Sequence, residues 1–322
     1  MTMTSSAHRS AEAAALIRGV SPVLEVPFSD DGEIELDDFR RVIRYVLGTG
    51  VTSVMFPGFA GEFYKLSEDE RRLLTETLIA EARDHERSAG RRVAVIAAVQ
   101  DHATRLAVRR ARWSVGVGAD AINLLPPHLL APSAAAIEAH LRAVLGAVPD
   151  TAVVLQYAPN ETGTSLDPTA LAGLVRDHPN LALVKVESSP PGPFIEQLRR
   201  LDPPIPAVEG YAGVQLPDAY RRGCVGTQPG CSFTELYCAV WDRFAAGDLA
   251  GGERLHARLL PYISYWMLDT ERIIAAEKMI SYRRGLISSP YCRYPRHDLD
   301  AEELAMIDRF LAEFSDLLPS LR

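Results

Sequence analysis

Short runs rich in aliphatic and β-branched residues alternate along this chain with longer stretches of helical period, and that alternation constrains the fold more than any other feature. The runs fall at 22–26, 52–56, 93–99, 121–125, 152–157, 181–186, 207–210 and 225–228. Strands separated by a helix-length segment cannot close as hairpins; they return by crossovers and form a parallel sheet. Helix start signals sit in the intervals: Ser67 with Glu70 as a capping box, Asp167 ahead of Pro168, and Ser133 at the head of an alanine-rich stretch. Eight strands, each followed by a crossover helix, are the inventory of a (β/α)8 TIM barrel. With 322 residues, 47% of them apolar, the chain can fill such a core. Beyond the eighth run the pattern is helix alone, from about 234 to 314, with Gly247, Pro261 and the segment 288–297 as breaks. The expected organisation is an N-terminal extension over 1–18 in the form of a frayed helix, a barrel over 19–233, and a helical extension over 234–322 packed on the barrel.

Composition narrows the partners. A formal net charge of −8, with no basic run interleaved with aromatics, argues against a nucleic-acid footprint. No segment offers the roughly 18 uninterrupted apolar residues of a membrane span, and the stretch from Met1 to Ser10 lacks an apolar signal core. Cys224, Cys231 and Cys238 are spaced by seven and Cys292 stands apart, without a C-x-x-C pair or a histidine pair, so they read as reduced thiols rather than zinc ligands. The expectation is a soluble cytoplasmic protein that takes a small molecule, with no metal, cofactor, nucleic acid or membrane partner.

In a barrel of this kind the active-site residues come from the C-terminal ends of the strands and the loops after them. The sixth run carries Lys185, and only three of the chain's 34 basic residues are lysines. Arginine replaces lysine wherever a solvated charge suffices, but not where an amine must lose its proton and attack a carbonyl. A strand-end lysine that merely reaches solvent is the competing reading. Glu187 lies two residues on, hence on the same face of a continuing strand, as a general base or as the ion-pair partner of Lys185. The other strand ends give Gln156 and Tyr157, His128, Tyr211 and Gln228, with Tyr157 pointing outward if its strand is regular. The second run leads through Gly58, Phe59, Ala60 and Gly61 to Glu62, a loop whose amides can hold a carboxylate or simply form a turn.

Taken in order, several segments resemble the dihydrodipicolinate synthase/N-acetylneuraminate lyase family of Schiff-base aldolases and dehydratases. They are Val26-Pro27-Phe28 with Asp30-Asp31-Gly32, Gly58-x-x-Gly61-Glu62 followed by Leu66-Ser67-x-x-Glu70-Arg71, Pro126-Pro127, Pro159-x-x-Thr162-Gly163, and Lys185. The resemblance runs from about residue 19 to 314. It implies that Lys185 forms an imine with a 2-oxo acid, that the loop 58–61 holds the acid's carboxylate, and that the chain assembles as a homotetramer or homodimer. An ordinary lysine ammonium, with a pKa of about 10.4, is almost wholly protonated at neutral pH, so an imine-forming lysine is expected to be buried at the barrel rim.

The departures from the family pattern are as informative as the matches. Where members carry two hydroxyl residues this chain has Phe59 and Ala60; where they carry tyrosines it has Gln156 and Leu129; where they carry an arginine after the fifth strand it has Glu161. In those members the hydroxyl groups bind the pyruvate carboxylate and relay protons to the imine. Gln156, the Lys185-x-Glu187 pair and the late Arg283-Arg284-Gly285 are similar instead to the family's 2-oxo-3-deoxy sugar acid dehydratases. The resemblance therefore implies a lyase that forms a lysine Schiff base with a 2-oxo acid and then dehydrates it, or makes or breaks its C3–C4 bond, rather than an authentic dihydrodipicolinate synthase. A catalytically silent barrel, or a sensor that binds a sugar acid or a protein partner, is the alternative.

Overall fold

The computed structural model describes residues 5–321; residues 1–4, the start of the expected N-terminal extension, and residue 322 lie outside the described residues. The strands are β1 (Gly19–Val20), β2 (Ser53–Phe56), β3 (Ala94–Gln100), β4 (Ala121–Leu125), β5 (Ala152–Tyr157), β6 (Leu181–Val186), β7 (Ala207–Glu209) and β8 (Gly226–Thr227). They run in the order β1-β8-β7-β6-β5-β4-β3-β2 with helices between them, the topology of a (β/α)8 barrel. The expected strand at 22–26 is not one. Pro22 and Pro27 offer no N–H to a ladder, and the segment makes only isolated parallel bridges, from Val23 to Met55 and to Gly230. Val23 N donates to Pro229 O at 2.8 Å, and Leu24 N donates to Met55 O at 3.0 Å.

Contacts divide the described residues into two compact units, one of residues 5–19 and 94–228, the other of residues 20–93 and 229–321. In the first unit β3 to β8 form a parallel ladder with Ile96 opposite Ala121, Gln156 opposite Lys185, Lys185 opposite Val208 and Glu209 opposite Thr227. Strands β3, β4 and β5 are buried at every position, which is why they read as continuous apolar runs instead of alternating ones. The helix Ser5–Leu16 belongs to this unit. Ser133 and Asp167 cap their helices as expected, accepting from Ala136 N and Thr169 N.

The second unit joins residues 20–93 to the C-terminal helices. Hydrogen bonds account for it: Arg41 Nη1 donates to Leu286 O at 3.0 Å, and Arg284 Nη1 donates to Tyr45 Oη at 2.9 Å. The helices Thr234–Ala245, Leu249–Trp266, Thr270–Arg284 and Ala301–Glu313 surround an aromatic core in which Phe233 stacks on Tyr237 and Trp266 meets Phe310 edge-on, each pair at 5.3 Å between centroids. Gly247 and the segment 288–297 are breaks, but Pro261 lies inside Leu249–Trp266. Proline costs a helix interior about 3 kcal/mol. Leu255, Leu259, Ile263 and Trp266 are buried along that helix, and at about 1.5–3 kcal/mol for each large apolar side chain their burial outweighs the proline. The break falls instead after Trp266, where Asp269 caps the next helix through Glu271 N and Arg272 N. Among the described residues no helix is long and apolar enough to cross a membrane.

Candidate active site

The centre of the first unit is a line of polar side chains across the ends of β4, β5 and β6. Lys185 is 4% exposed, and its Nζ lies 2.9 Å from Glu187 Oε1. Gln156 Nε2 donates to Glu187 Oε2 at 2.6 Å, and Asn123 Nδ2 donates to Gln156 Oε1 at 2.8 Å. The cross-strand pairing of Gln156 with Lys185 produces this geometry, and the two-residue step from Lys185 brings Glu187 back to the same face. Tyr211, with a left-handed φ of 56°, turns its amide towards Glu187 Oε1 at 3.5 Å. A side chain at Gly210 would run into the Glu187 carboxylate, so only glycine fits there.

Two more carboxyl groups border this line. Glu209 is fully buried and accepts from Thr227 Oγ1 at 2.9 Å. Burial pushes it up to about 8, reinforced by the Glu187 charge and opposed by hydrogen bonds from Thr227 and the Gln215 backbone and by the Lys185 ammonium. Glu161 follows β5 in the short helix Pro159–Thr162 and is raised by burial first and by Glu187 second. The Tyr211 phenol is raised by burial, then by Glu161, against a hydrogen bond with Asn160.

Of the residues expected from sequence, Lys185, Glu187 and Gln156 are brought together, with Tyr211 beside them. Tyr157 is not among them: it is on the opposite face of β5 from Gln156, and its ring stacks on Phe194 at 4.3 Å. His128 packs edge-on against His102, 4.6 Å between centroids, and His102 Nδ1 accepts from the amides of His128 and Leu129. Gln228 is buried after β8, its amide donating to Glu209 O at 2.8 Å. Asn123 and Glu209 were not anticipated. The available signal was a single polar residue in each of the apolar runs of β4 and β7.

The loop carrying Gly58, Phe59, Ala60 and Gly61 belongs to the second unit. A Cβ at Gly58 would stand 2.5 Å from Val23 Cγ1, so the close approach of the backbone requires glycine. The amides of Gly61 and Glu62 donate to Gly58 O and Phe59 O inside the loop. Glu62 is fully buried in a left-handed conformation. It receives Lys278 on Oε1, and Lys65 at 3.0 Å with the Arg293 amide at 3.1 Å on Oε2. Lys65 also reaches Glu271 at 2.7 Å and Arg293 O at 2.8 Å. Three donors diverging from one small ammonium fit such a node, which a planar guanidinium would not.

The second unit holds two further buried carboxyl groups. Burial pushes Glu25 up to about 7, opposed by the Ser281 hydroxyl and the Lys278 and Arg284 charges and reinforced by Glu62; burial pushes Glu277 up to about 8, reinforced by Glu25 and opposed by hydrogen bonds from Ser232 and the Cys231 backbone. A carboxyl whose folded pKa is raised stabilises fully below its unfolded value of about 4.5 and loses that contribution as pH rises through the folded value. Glu277→Gln is therefore expected to gain stability relative to the parent protein between pH 5 and 8, by up to about 1.4 kcal/mol per pH unit. Parallel melting-temperature profiles for the two proteins would contradict this. Among the described residues no group of three or more His, Cys, Asp or Glu could hold a metal ion, and the four cysteines are free.

Residues 16–313 match the model of the dihydrodipicolinate synthetase family. The chain belongs to this family. Its members are class I Schiff-base lyases that act on small keto acids and are typically oligomeric. A 4-hydroxy-tetrahydrodipicolinate synthase of Salinibacter ruber is 29% identical over 313 residues, covering 94% of this chain and 97% of the relative. One from Methanothrix thermoacetophila is 27% identical over 95% of this chain and 100% of its own length. The crystal structure of dihydrodipicolinate synthase from Rhodopseudomonas palustris superposes with a TM-score of 0.83 at 25% identity, over 92% of this chain and 97% of that one. YagE, a prophage protein of the same family from E. coli K12 solved in complex with pyruvate, shares the fold with a TM-score of 0.82 at 22% identity, over 93% of this chain and 99% of its own.

Proposed function

We propose that this family member forms an imine between Lys185 and a 2-oxo acid, then dehydrates the adduct or makes or breaks its C3–C4 bond. The observation that carries the reading is the buried Lys185–Glu187 pair at 2.9 Å, with Gln156 fixing the second carboxylate oxygen at 2.6 Å. Glu187 takes the ammonium proton, freeing the amine to attack C2, and returns it as the former carbonyl oxygen departs as water. The resulting iminium withdraws electrons and acidifies C3–H, so Glu187 can then remove that proton to give an enamine. Expulsion of a C4 hydroxyl from the enamine, protonated as it leaves, completes a dehydration. Deprotonation of the same hydroxyl in the iminium instead cleaves C3–C4. Glu209, kept largely neutral at pH 7 by burial, is the proposed proton source for the departing hydroxyl, the two carboxyl groups dividing base and acid duty by environment.

The amides of Phe59 and Ala60, His128, Tyr211 and Gln228 remain proposed substrate contacts, and the protein is proposed to act in the cytoplasm as a homotetramer or homodimer. Dihydrodipicolinate synthesis itself is not proposed. Gln156 hydrogen-bonds but cannot pass a proton, Phe59 and Ala60 carry no hydroxyl, and Leu129 is 64% exposed. Incubation with pyruvate and aspartate semialdehyde is expected to give no condensation product above background. Efficient condensation would mean that Glu187 and Gln156 replace the missing relay for that reaction too, against this reading.

A further inference from the structure

Asn123 is the polar residue of β4, a strand buried at every position. An aliphatic side chain there has no acceptor to leave unmet, whereas Asn123 Oδ1 is without a hydrogen-bond partner among the described residues, and an unmet buried acceptor is costly. Register shows what the other end of the amide does. Asn123 lies opposite Val154, so it shares a face of the ladder with Gln156, two residues further along β5, and Gln156 lies opposite Lys185. The ladder thus delivers Asn123, Gln156 and Glu187 as a line of three buried side chains.

That line has one permitted polarity. Glu187 meets the Lys185 ammonium with Oε1 and, as a carboxylate, only accepts, so Gln156 must aim its NH2 at Oε2. A terminal amide is nearly symmetric in shape, and a reversed Gln156 would offer Glu187 only an oxygen. Asn123 Nδ2, 2.8 Å from Gln156 Oε1, prevents the reversal. With that donor in place, turning Gln156 round would set NH2 against NH2 at one end and oxygen against oxygen at the other.

We infer that Asn123 is a positioning residue for the acid–base step: acting through Gln156, it holds Glu187 as an oriented carboxylate ready to take the C3 proton. It touches no reacting atom itself. The inference rests on the Lys185 imine reading and adds the residue that sets the direction of the hydrogen bonds behind it.

Pyruvate, the shortest 2-oxo acid with an exchangeable C3 proton, is the probe. In heavy water Glu187 removes a proton from C3 of the imine, exchanges it with solvent and returns a deuteron, and the decay of the methyl signal in proton NMR gives the rate. Lys185→Arg supplies the background. Asn123→Leu, similar in size and without a donor, is expected to slow exchange roughly ten- to hundredfold, the penalty for a misplaced acid–base group, while borohydride trapping of pyruvate at Lys185 still runs to completion. Asn123→Asp keeps the shape of asparagine and guards against misfolding of the leucine variant. Its protonated acid donates to Gln156 as Asn123 does; its carboxylate only accepts and turns Gln156 round. Burial holds a carboxyl above its ordinary range, so the ratio of the aspartate variant's rate to the parent's is expected near unity at about pH 5 and lower by about tenfold or more at about pH 8. Lys185, Glu187, Glu161, Glu209 and Tyr211, the titratable groups that act on one another at the site, are common to both proteins, and the ratio divides out their titration.

A role in packing alone would slow both variants to the same extent at every pH. A leucine variant that exchanges at the parent rate overturns the inference, as does an aspartate ratio that stays flat over that pH range. A parent protein that neither traps nor exchanges pyruvate overturns the imine reading and this inference with it.

Discussion

Lys185→Arg is expected to reduce turnover to the uncatalysed background, a loss on the order of 10⁶-fold or more if the parent protein is an ordinary enzyme. Arginine preserves the positive charge and can meet Glu187 with two N–H donors, so the ion pair at the end of β6 survives in altered form. What it cannot do is surrender a proton and become a nucleophile at any workable pH. The substitution therefore separates the charge of Lys185 from its chemistry. Circular dichroism and a melting temperature close to the parent value should accompany the loss. Turnover at a measurable fraction of the parent rate would mean that another group performs the reaction.

Glu187→Gln has the second largest expected effect: a fall in turnover of roughly 10²–10⁴ with imine formation retained, the usual size for a lost general acid–base. Glutamine keeps the shape of the side chain but has one acceptor oxygen where Glu187 uses two, one for Lys185 and one for Gln156. Either the lysine or Gln156 must give up its bond. Trapping at Lys185 should persist but build up more slowly, because solvent must replace Glu187 in taking the ammonium proton, while removal of the C3 proton fails. Single-turnover measurements distinguish the two steps. If the glutamine variant turns over normally, Glu187 only holds the lysine, and Glu209 is the next carboxyl to substitute.

The strands were legible because β3 to β6 are covered on both faces almost throughout and so read as apolar runs interrupted by one polar residue each. The first strand was misread because the apolar character of 22–26 conceals Pro22 at its start and Pro27 directly after it, neither of which can donate to a ladder. In the site, strand ends and the two-residue period located Lys185, Glu187 and Gln156, and the same period turned Tyr157 outward to its stacking partner Phe194. Lysine scarcity was a weaker clue than it looked. Lys65 and Lys278 are buried as well, both holding Glu62, so a rare lysine here marks a buried carboxylate partner and only position in the barrel singles out Lys185. Asn123 escaped notice because it lies in the middle of its strand, and Glu209 because sequence does not show that a carboxyl at the end of a strand is buried. The same blindness hid the Glu25 and Glu277 carboxyls, whose raised pKa values come from burial.

Peptide mapping by mass spectrometry after borohydride reduction in the presence of a panel of 2-oxo acids tests the imine most directly. The account predicts that at least one acid adds its mass less one oxygen to Lys185, that Lys65 and Lys278 stay unmodified, and that activity is lost in proportion. A folded protein that gains no mass at Lys185 with any acid of the panel, or that gains it at another lysine while activity falls, would contradict it and leave a silent or ligand-sensing barrel as the better description.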